Sequence, residues 1–574
     1  MCLIISYHNF ITMKNASSIF LLLFIALASR SQTIPFNQTP DWESTPNGHI
    51  ATGLGLADID GDGWKDIIAA NGNDINRQHL VVYYNNGDGT FPLNPGWESD
   101  DIDYHGHLAT GDINKDGWID IAVSVYLGEG GFNDPGKVKV YYNLGGELEG
   151  TPTFVSEPFY TFSCALGDAD ADGDLDLAVA AGEPYGGIYD EGKVFLNRNG
   201  YFSPTPDWES DNQIGAMDVD FGDFDGNGFL DLAFVCEETP NFIYLADNEG
   251  NISTQPAWQS SESPNYINSL DIGVTGNNVF PSLVMTGNDQ LGGDGKVRLY
   301  TFETGVPLSS PASWTSNPFG YGSGILLAEI NGDSYTDLIY GGWWLPVNIA
   351  LGDAAGFEMN PSYTSSTTSV VEAILMSDLD RDDILIATET ITIDTDGISA
   401  IYLEEQIVEQ LLSVQINGLP VSQSFYCWVP GKSWVSFKDG LRSTDVVVAK
   451  YEYSDDNDMV ITNWDGSKGN YIFYNDPTIP GTKEIAVSPG ISLKVRPNPS
   501  GRIFYAEYTI RDPGLVKLVV SDINGNEIYV SEMAHPSAGS FSKTITLREN
   551  TSAGTYFVTA ASGSAVGHCK LVVR

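Results

Sequence analysis

Five short segments of the chain repeat one spacing of oxygen-bearing side chains. They read DIDGDGWKD (58–66), DINKDGWID (112–120), DADADGDLD (168–176), DFDGNGFLD (223–231) and EINGDSYTD (329–337). Asp, Asn or Glu occupies positions 1, 3, 5 and 9, and glycine occupies position 6 in four of the five. A turn with this pattern can wrap a hard divalent cation with bonds of about 2.4 Å. We therefore expect Ca²⁺ in about five loops.

The expected ligands are the side chains at positions 1, 3, 5 and 9 and the backbone carbonyl at position 7. They are Asp58, Asp60, Asp62, Trp64 and Asp66; Asp112, Asn114, Asp116, Trp118 and Asp120; Asp168, Asp170, Asp172, Asp174 and Asp176; Asp223, Asp225, Asn227, Phe229 and Asp231; Glu329, Asn331, Asp333, Tyr335 and Asp337. The alternative is a set of Asp-Gly hairpin turns without metal. Carboxylates crowded in such turns would repel one another, so five copies favour the cation.

Each of these loops is expected to connect two β-strands. An EF-hand loop needs a bidentate Glu at position 12 and an exiting helix, whereas these loops lead into apolar, β-prone stretches such as 67–70 and 121–125. A Trp-bearing segment and a Tyr-rich segment recur with the loops, so a unit of roughly 50 to 55 residues holds four strands. Such a unit is a propeller blade, and its recurring Trp is expected to pack between blades.

Two further units lack a complete loop. The segment Asp271–Val279 has no oxygen ligand at positions 3 and 9, and Asp378–Asp383 has lost three loop residues, so we expect no tight calcium site in either. A last unit at 451–475 brings the count to eight, which slightly favours eight blades over seven. A spare strand around Trp42 could complete that last blade. Residues 404–440 fit the repeat poorly and indicate an inserted β-hairpin.

The units resemble FG-GAP/VCBS repeats, the calcium-loop blades also found in integrin α-subunit propellers. The resemblance covers residues 33–480 and implies an all-β fold, a β-propeller of seven or eight four-stranded blades. Integrin-like propellers have seven blades, so the resemblance keeps seven open.

The composition changes after Pro489, and residues 490–574 show the pattern of a small β-sandwich. The motifs Val495–Ser500, Val519–Gly525 and Ala553–Val558 resemble the C-terminal sorting domain of the type IX secretion system. That resemblance implies export by the type IX secretion machinery to the outer surface of a Gram-negative bacterium, with release or tethering there. A generic adhesion domain is the alternative. At the other end, residues 1–31 are predicted to be a signal peptide, with Met13 as an alternative start.

The charge excludes several classes of partner. With 76 acidic against 27 basic residues, the net charge of -49 repels nucleic acid and anionic lipid surfaces. No segment after the signal peptide is long and apolar enough for a membrane span. The cysteines are few and widely scattered, so we expect no disulfide scaffold.

Two functions remain after these exclusions. The first is a binding or adhesion module for an extracellular glycan or protein, with recognition on the loops opposite the calcium loops. Its tentative ligand contacts are Trp343, Trp344, Tyr126, Phe132, Tyr185 and Tyr189. The second is a polysaccharide lyase or another glycan-active enzyme, which would need a base such as His. His105 and His107 lack an evident Arg partner, so no catalytic residue is assigned.

Overall fold

The computed structural model describes residues 34–261, 266–289, 292–302, 311–475, 492–496, 502–510, 513–522, 527–548, 551–552, 554–562 and 565–573. Within these ranges the chain forms β-strands and two short 3₁₀ helices, Pro184–Gly186 and Gln423–Phe425, and no α-helix. The chain divides into two compact units between Pro477 and Thr478. No helix in the described part is long and apolar enough to cross a membrane. The expected signal peptide, residues 1–31, lies outside the described residues.

The first unit contains a ring of antiparallel blades. Each of the first five blades is a sheet of four strands in chain order. Their strands are Ala51–Ala57, Asp66–Asn71, Leu80–Tyr83 and Trp97–Glu98 in blade 1; Tyr104–Gly111, Asp120–Gly128, Gly131–Tyr141 and Phe154–Val155 in blade 2; Thr161–Gly167, Asp176–Glu183, Ile188–Phe195 and Trp208–Ile214 in blade 3; Ala216–Gly222, Asp231–Cys236, Phe242–Tyr244 and Trp258–Gln259 in blade 4; Ile267–Gly273, Ser282–Gly287, Val297–Tyr300 and Trp314–Thr315 in blade 5.

Blades 6 and 7 complete the ring. Blade 6 comprises Gly322–Ala328, Asp337–Leu345, Asn348–Ala350 and Tyr363–Thr364, with a small hairpin of Gly352–Asp353 and Gly356–Phe357 beside it. Blade 7 comprises Ser369–Ser377, Asp458–Asn463, Tyr471–Phe473 and the N-terminal strand Trp42–Glu43. The innermost strands of neighbouring blades contact one another around the whole ring, including blade 7 with blade 1.

In the described part of the chain the ring has seven blades, so the unit count that favoured eight was wrong. The segments at 378–383 and 451–475 were counted as two units, but they belong to one blade that an insertion interrupts. The predicted closure is confirmed, because Trp42 pairs with Ile472 and Glu43 with Tyr471. Closure by the two ends of the propeller removes the open sheet edges that a linear array of blades would expose.

The insertion in blade 7 is larger than the predicted hairpin over 404–440. Its first sheet contains Ile384–Thr392, Val446–Ser454, Gln410–Ile416 and Leu419–Pro420, and its second contains Ala400–Tyr402, Trp434–Phe437 and Tyr426–Cys427. Buried side chains such as Val408, Val435 and Val447 give residues 384–454 a core of their own. The sequence pattern misled because 384–392 has the length and β-propensity of a blade strand, yet it pairs with 446–454.

The repeating aromatic residues pack between blades, as predicted. The outermost Trp of one blade lies edge-on to an aromatic residue of the next, with ring centroids 5.0–6.4 Å apart. These pairs are Trp42–Tyr83, Trp97–Tyr141, Trp208–Tyr244, Trp258–Tyr300 and Trp314–Phe357. Near the axis the innermost strands approach so closely that a Cβ on Gly106 would lie 2.0 Å from the Phe162 carbonyl oxygen.

The second unit is a β-sandwich. One sheet contains Ser492–Arg496, Ile503–Ile510 and Gly539–Thr546, and the other contains Glu527–His535, Gly514–Asp522, Gly554–Ser562 and Ala565–Val573. Side chains from both sheets, such as Phe504 and Ile545 from one and Val520 and Val558 from the other, form its core. The segments 497–500 and 523–525 and residue Ala553 of the predicted motifs lie outside the described residues.

Candidate cation-binding loops and the opposite face

The Asp at position 9 fixes each of the five predicted loops to its blade. It begins the second strand of the blade. It accepts one backbone hydrogen bond from position 2 of its own loop and another from the second residue after the third strand, at 2.7–3.0 Å. These aspartates are Asp66, Asp120, Asp176, Asp231 and Asp337. The same pair of bonds in five blades shows that the repeat holds one loop geometry.

Position 6 of the loops requires a left-handed backbone. Its φ is +89° at Gly63 and +92° at Gly117, and the nitrogens of both residues donate to the Asp at position 1. In the fifth loop Ser334 takes φ +70°, which costs a side-chain-bearing residue about 1–2 kcal/mol. The glycine preference in the other four loops therefore has a conformational cause.

Three of the five loops bring three carboxylate oxygens within 4.8 Å of one another. The groups are Asp58, Asp60 and Asp62; Asp168, Asp170 and Asp176; and Asp223, Asp225 and Asp231. The second and fifth loops have asparagine at position 3 and only three acids each, and among the described residues they form no group of three acids at this spacing. In the second loop, however, the buried Oδ1 of Asp112 has no hydrogen-bond partner.

The protonation of these carboxyl groups also fits a cation site. Burial, with a smaller contribution from the neighbouring carboxylates, raises the pKa of Asp66, Asp120 and Asp337 to about 7. Without a cation these groups are therefore harder to ionise than an ordinary Asp. The donors are all oxygens, which is the set that hard divalent cations prefer, so the clusters could hold such an ion. The backbone carbonyls at position 7 remain predicted ligands.

The face opposite these loops carries Trp343 and Trp344. Both lie near the end of the strand Asp337–Leu345, which starts at the fifth loop and therefore ends on the other face. Trp343 stacks on Trp464 of blade 7 with ring centroids 5.7 Å apart and planes inclined by 16°. Its Nε1 donates to the buried Glu372 at 2.7 Å. Trp343 is thus fixed by packing.

Trp344 is 54% exposed and holds a left-handed backbone with φ +59°. Its neighbours Trp343 and Leu345 both pair with the innermost strand of blade 7, and the register shifts between them. Trp344 is therefore a bulge residue that points away from the sheet. A bulky residue with positive φ is uncommon, and such strain is concentrated at functional sites.

The other aromatic candidates on this face differ in accessibility. Tyr126 is buried and its hydroxyl donates to Glu183, so it offers no ring face to a ligand. Phe132 and Tyr185 are exposed, and the Tyr185 hydroxyl donates to Glu237. Tyr189 is half-buried and donates to Glu238 at 2.6 Å. The structure does not bring Trp344 into ring contact with any of these four.

A cavity of about 250 Å³ lies on the axis of the ring, and the sequence did not predict it. The innermost strands of all seven blades line it, and the insertion covers it on the calcium-loop side with residues such as Tyr402 and Val429. Lys432 of the insertion pairs with Asp220 at 2.5 Å. Asp220 and Lys432 are more than 200 residues apart in the sequence, so no local pattern could reveal the contact.

The histidines considered as bases lie at or near this axis. His107 lines the cavity, and its Nδ1 is 3.7 Å from Asp218. Burial lowers the pKa of His107, but the hydrogen bond and charge of Asp218 outweigh burial and leave the pKa raised. His105 is buried, hydrogen-bonds through Nδ1 to the Asn71 carbonyl and has a pKa lowered by burial.

Two comparisons with protein families identify parts of the chain. Residues 36–123, which span blade 1, the first strand of blade 2 and the start of its second strand, match the FG-GAP-like repeat family. Residues 494–574 match the family described as "Secretion system C-terminal sorting domain". The protein is thus an all-β propeller with FG-GAP-like repeats and a type IX sorting domain, a combination that indicates a secreted or cell-surface protein.

Comparisons with individual proteins add little. No curated protein matches the chain. A solved structure titled "Structure of Dos1 propeller" is similar, with 10% identity, a TM-score of 0.34, and coverage of 56% of this chain and 72% of that chain.

Proposed function

We propose that the protein is a calcium-stabilised binding module outside the cell, which holds a glycan through the face opposite its calcium loops. The observation that carries this proposal is Trp344, an exposed indole held out of the sheet by a strained bulge. The stacked pair Trp343–Trp464 and the hydrogen bond to Glu372 support the strand on which it lies. Rigid aromatic rings on a fixed scaffold bind with little loss of conformational entropy.

The chemistry of the face favours a neutral sugar ring as the ligand. An indole offers a flat apolar surface with a polar N–H at its edge, which matches the mixed apolar and hydroxyl surface of a sugar. The net charge of -49 and buried acids such as Glu183 and Glu237 disfavour a polyanion. A protein ligand is the other outcome that the binding experiment below can return.

Calcium has a structural role in this proposal. The five loops lie at the start of the second strand in blades 1, 2, 3, 4 and 6, where an ion would neutralise buried carboxylates and fix the turn. The sorting domain is the export signal, and we propose that the type IX machinery carries the protein across the outer membrane of a Gram-negative cell. Release and tethering at the surface both remain compatible with this route.

The test is an array of glycans and extracellular proteins probed with the purified full-length protein. We expect retention on neutral glycans, and we expect Trp344→Ala to weaken it at least tenfold because the exposed ring is lost. Tyr201→Ala is the matched control, since Tyr201 is an exposed aromatic residue on the calcium-loop side. Equal binding by both folded variants would refute the role of Trp344. Selective retention on a protein would show that the ligand is a protein and not a glycan.

A second candidate, glycan cleavage, has one observation in its favour. His107 and Asp218 form a charge-paired dyad in the axial cavity, and Glu372, whose pKa burial raises to about 7, lines the same cavity. Groups with displaced pKa values in a cavity are candidates for proton transfer. To test for cleavage, the protein is incubated with pectin, ulvan and alginate, and the unsaturated products that a lyase forms are measured. The His107→Gln variant is the control.

A further inference from the structure

The seventh blade contains the parts of a loop that the sequence does not show as continuous. Asp378 follows its innermost strand, where position 1 lies in the other blades, and Asp458 begins its second strand, where position 9 lies. Leu379 N donates to Asp458 Oδ2 at 3.0 Å and Asn475 N donates to its Oδ1 at 2.8 Å. These two bonds are the pair that fixes all five predicted loops, so Asp458 is the missing position 9.

Three acids precede the insertion in the spacing of positions 1, 3 and 5. Asp378, Asp380 and Asp382 each place a carboxylate oxygen within 4.8 Å of the others. Asp382 N donates to Asp380 Oδ1 at 3.3 Å, as Asp62 N donates to Asp60 Oδ1 at 3.2 Å in the first loop. The first half of this loop therefore has the geometry of the continuous ones.

Buried oxygens at this cluster lack partners within the protein. Asp378 is 1% exposed, and neither of its carboxylate oxygens accepts a hydrogen bond. Asp456, which follows the last strand of the insertion, lies with its carboxyl group against that of Asp382, and its buried Oδ1 has no partner. Buried carboxylate oxygens are normally paired with a protein group, water or an ion, so these oxygens point to a missing partner. Arg381, the basic residue within the segment, pairs with Glu452 at 3.0 Å.

We propose that Asp378, Asp380, Asp382, Asp456 and Asp458 form a sixth cation site, split by the insertion 384–454. The ion joins the two ends of the insertion and holds it on blade 7. Because the insertion covers the axial cavity, its attachment there depends on calcium. Five carboxylates in an all-oxygen set favour Ca²⁺, which accepts irregular coordination, over the smaller Mg²⁺. The expectation that this unit has no tight site assumed a loop shortened by three residues, whereas the loop is interrupted.

The test compares two variants that change neighbouring residues by the same chemistry. Asp456→Asn removes one proposed ligand charge, and Asp455→Asn removes a charge from the exposed residue beside it. Equilibrium dialysis of the full-length protein should show about one fewer tightly bound Ca²⁺ per chain for Asp456→Asn than for Asp455→Asn. Asp378→Asn should lose the same ion. The test rests on the difference in bound Ca²⁺ between the two variants. The occupancy of the five other loops is the same in both variants and does not affect that difference.

Limited proteolysis gives a second measurement that does not depend on counting ions. Calcium should protect the insertion in the wild type and in Asp455→Asn, and Asp456→Asn should need at least tenfold more calcium for equal protection. Equal stoichiometry and equal protection in Asp456→Asn, Asp378→Asn and Asp455→Asn would overturn the proposal. If Asp378→Asn does not fold, Asp456→Asn still decides, because that residue is only half-buried and the exchange keeps its shape.

Discussion

At the scale of single residues, the position-9 aspartates make the stability of the propeller depend on pH. A carboxyl group with a raised pKa in the folded state stabilises the fold below its unfolded pKa, and that stability is lost as pH rises through the folded value. For Asp66, Asp120 and Asp337 the ordinary pKa is 3.8 and the folded pKa is about 7. The window for this effect is therefore pH 4 to 7.

We predict that the calcium-free protein loses stability as the pH rises from about 4 to about 7. Saturating Ca²⁺ should abolish most of this loss, because the ion stabilises the ionised carboxylates. Melting temperatures measured across this range, after calcium removal on a chelating resin and after its return, check the prediction. A calcium-free melting temperature that rises or stays constant with pH would contradict it.

At the scale of elements, the sequence predicted the repeated parts and missed the unique ones. The loops, the strands on either side and the packing of residues such as Trp97 recur, so each copy supports the others. The insertion occurs once, and its strand 384–392 resembles a blade strand until its partner 446–454 is known. Position 9 of the split loop was missed for the same reason. Asp458 lies far from Leu379 in the sequence, and only the folded chain brings the two residues together.

A charged contact at Lys432 is one of those that join the insertion to the propeller, and it can be tested by substitution. Lys432 pairs with Asp220 at 2.5 Å and lies 3.7 Å from Asp271, and these two charges outweigh burial and raise its pKa. We predict that Lys432→Met costs about 1–2 kcal/mol, because both carboxylates lose their partner. Hydrogen exchange of residues 400–437 should accelerate, while Lys438→Met, at an exposed lysine of the same insertion, should leave it unchanged.

At the scale of the whole molecule, the ring depends on a short strand at the start of the described chain. Trp42 packs on Tyr83 and Phe91 of blade 1 and donates through Nε1 to the Phe91 carbonyl, so it joins blade 7 to blade 1. Trp42→Ala should cost about 3 kcal/mol and broaden the unfolding transition, since it releases both ends of the propeller. Trp97→Ala removes a similar contact between blades 1 and 2, and we expect its transition to stay sharp.

The separation of the two units gives the last prediction. The propeller and the C-terminal sandwich each have a core built from their own side chains, so neither needs the other to bury its apolar residues. Residues 494–574, which match the sorting family, should therefore determine location without determining the fold of the propeller. Removal of these residues should leave the calcium-dependent melting transition within about 1–2 °C of the full-length value.

The truncated protein should accumulate in the periplasm, as fractionation of the producing cells would show. Fusing residues 494–574 to an unrelated periplasmic protein should bring that protein to the surface, because the address lies in the sandwich. Surface display of the truncated protein would contradict the sorting role, whereas its failure to fold would contradict the independence of the units.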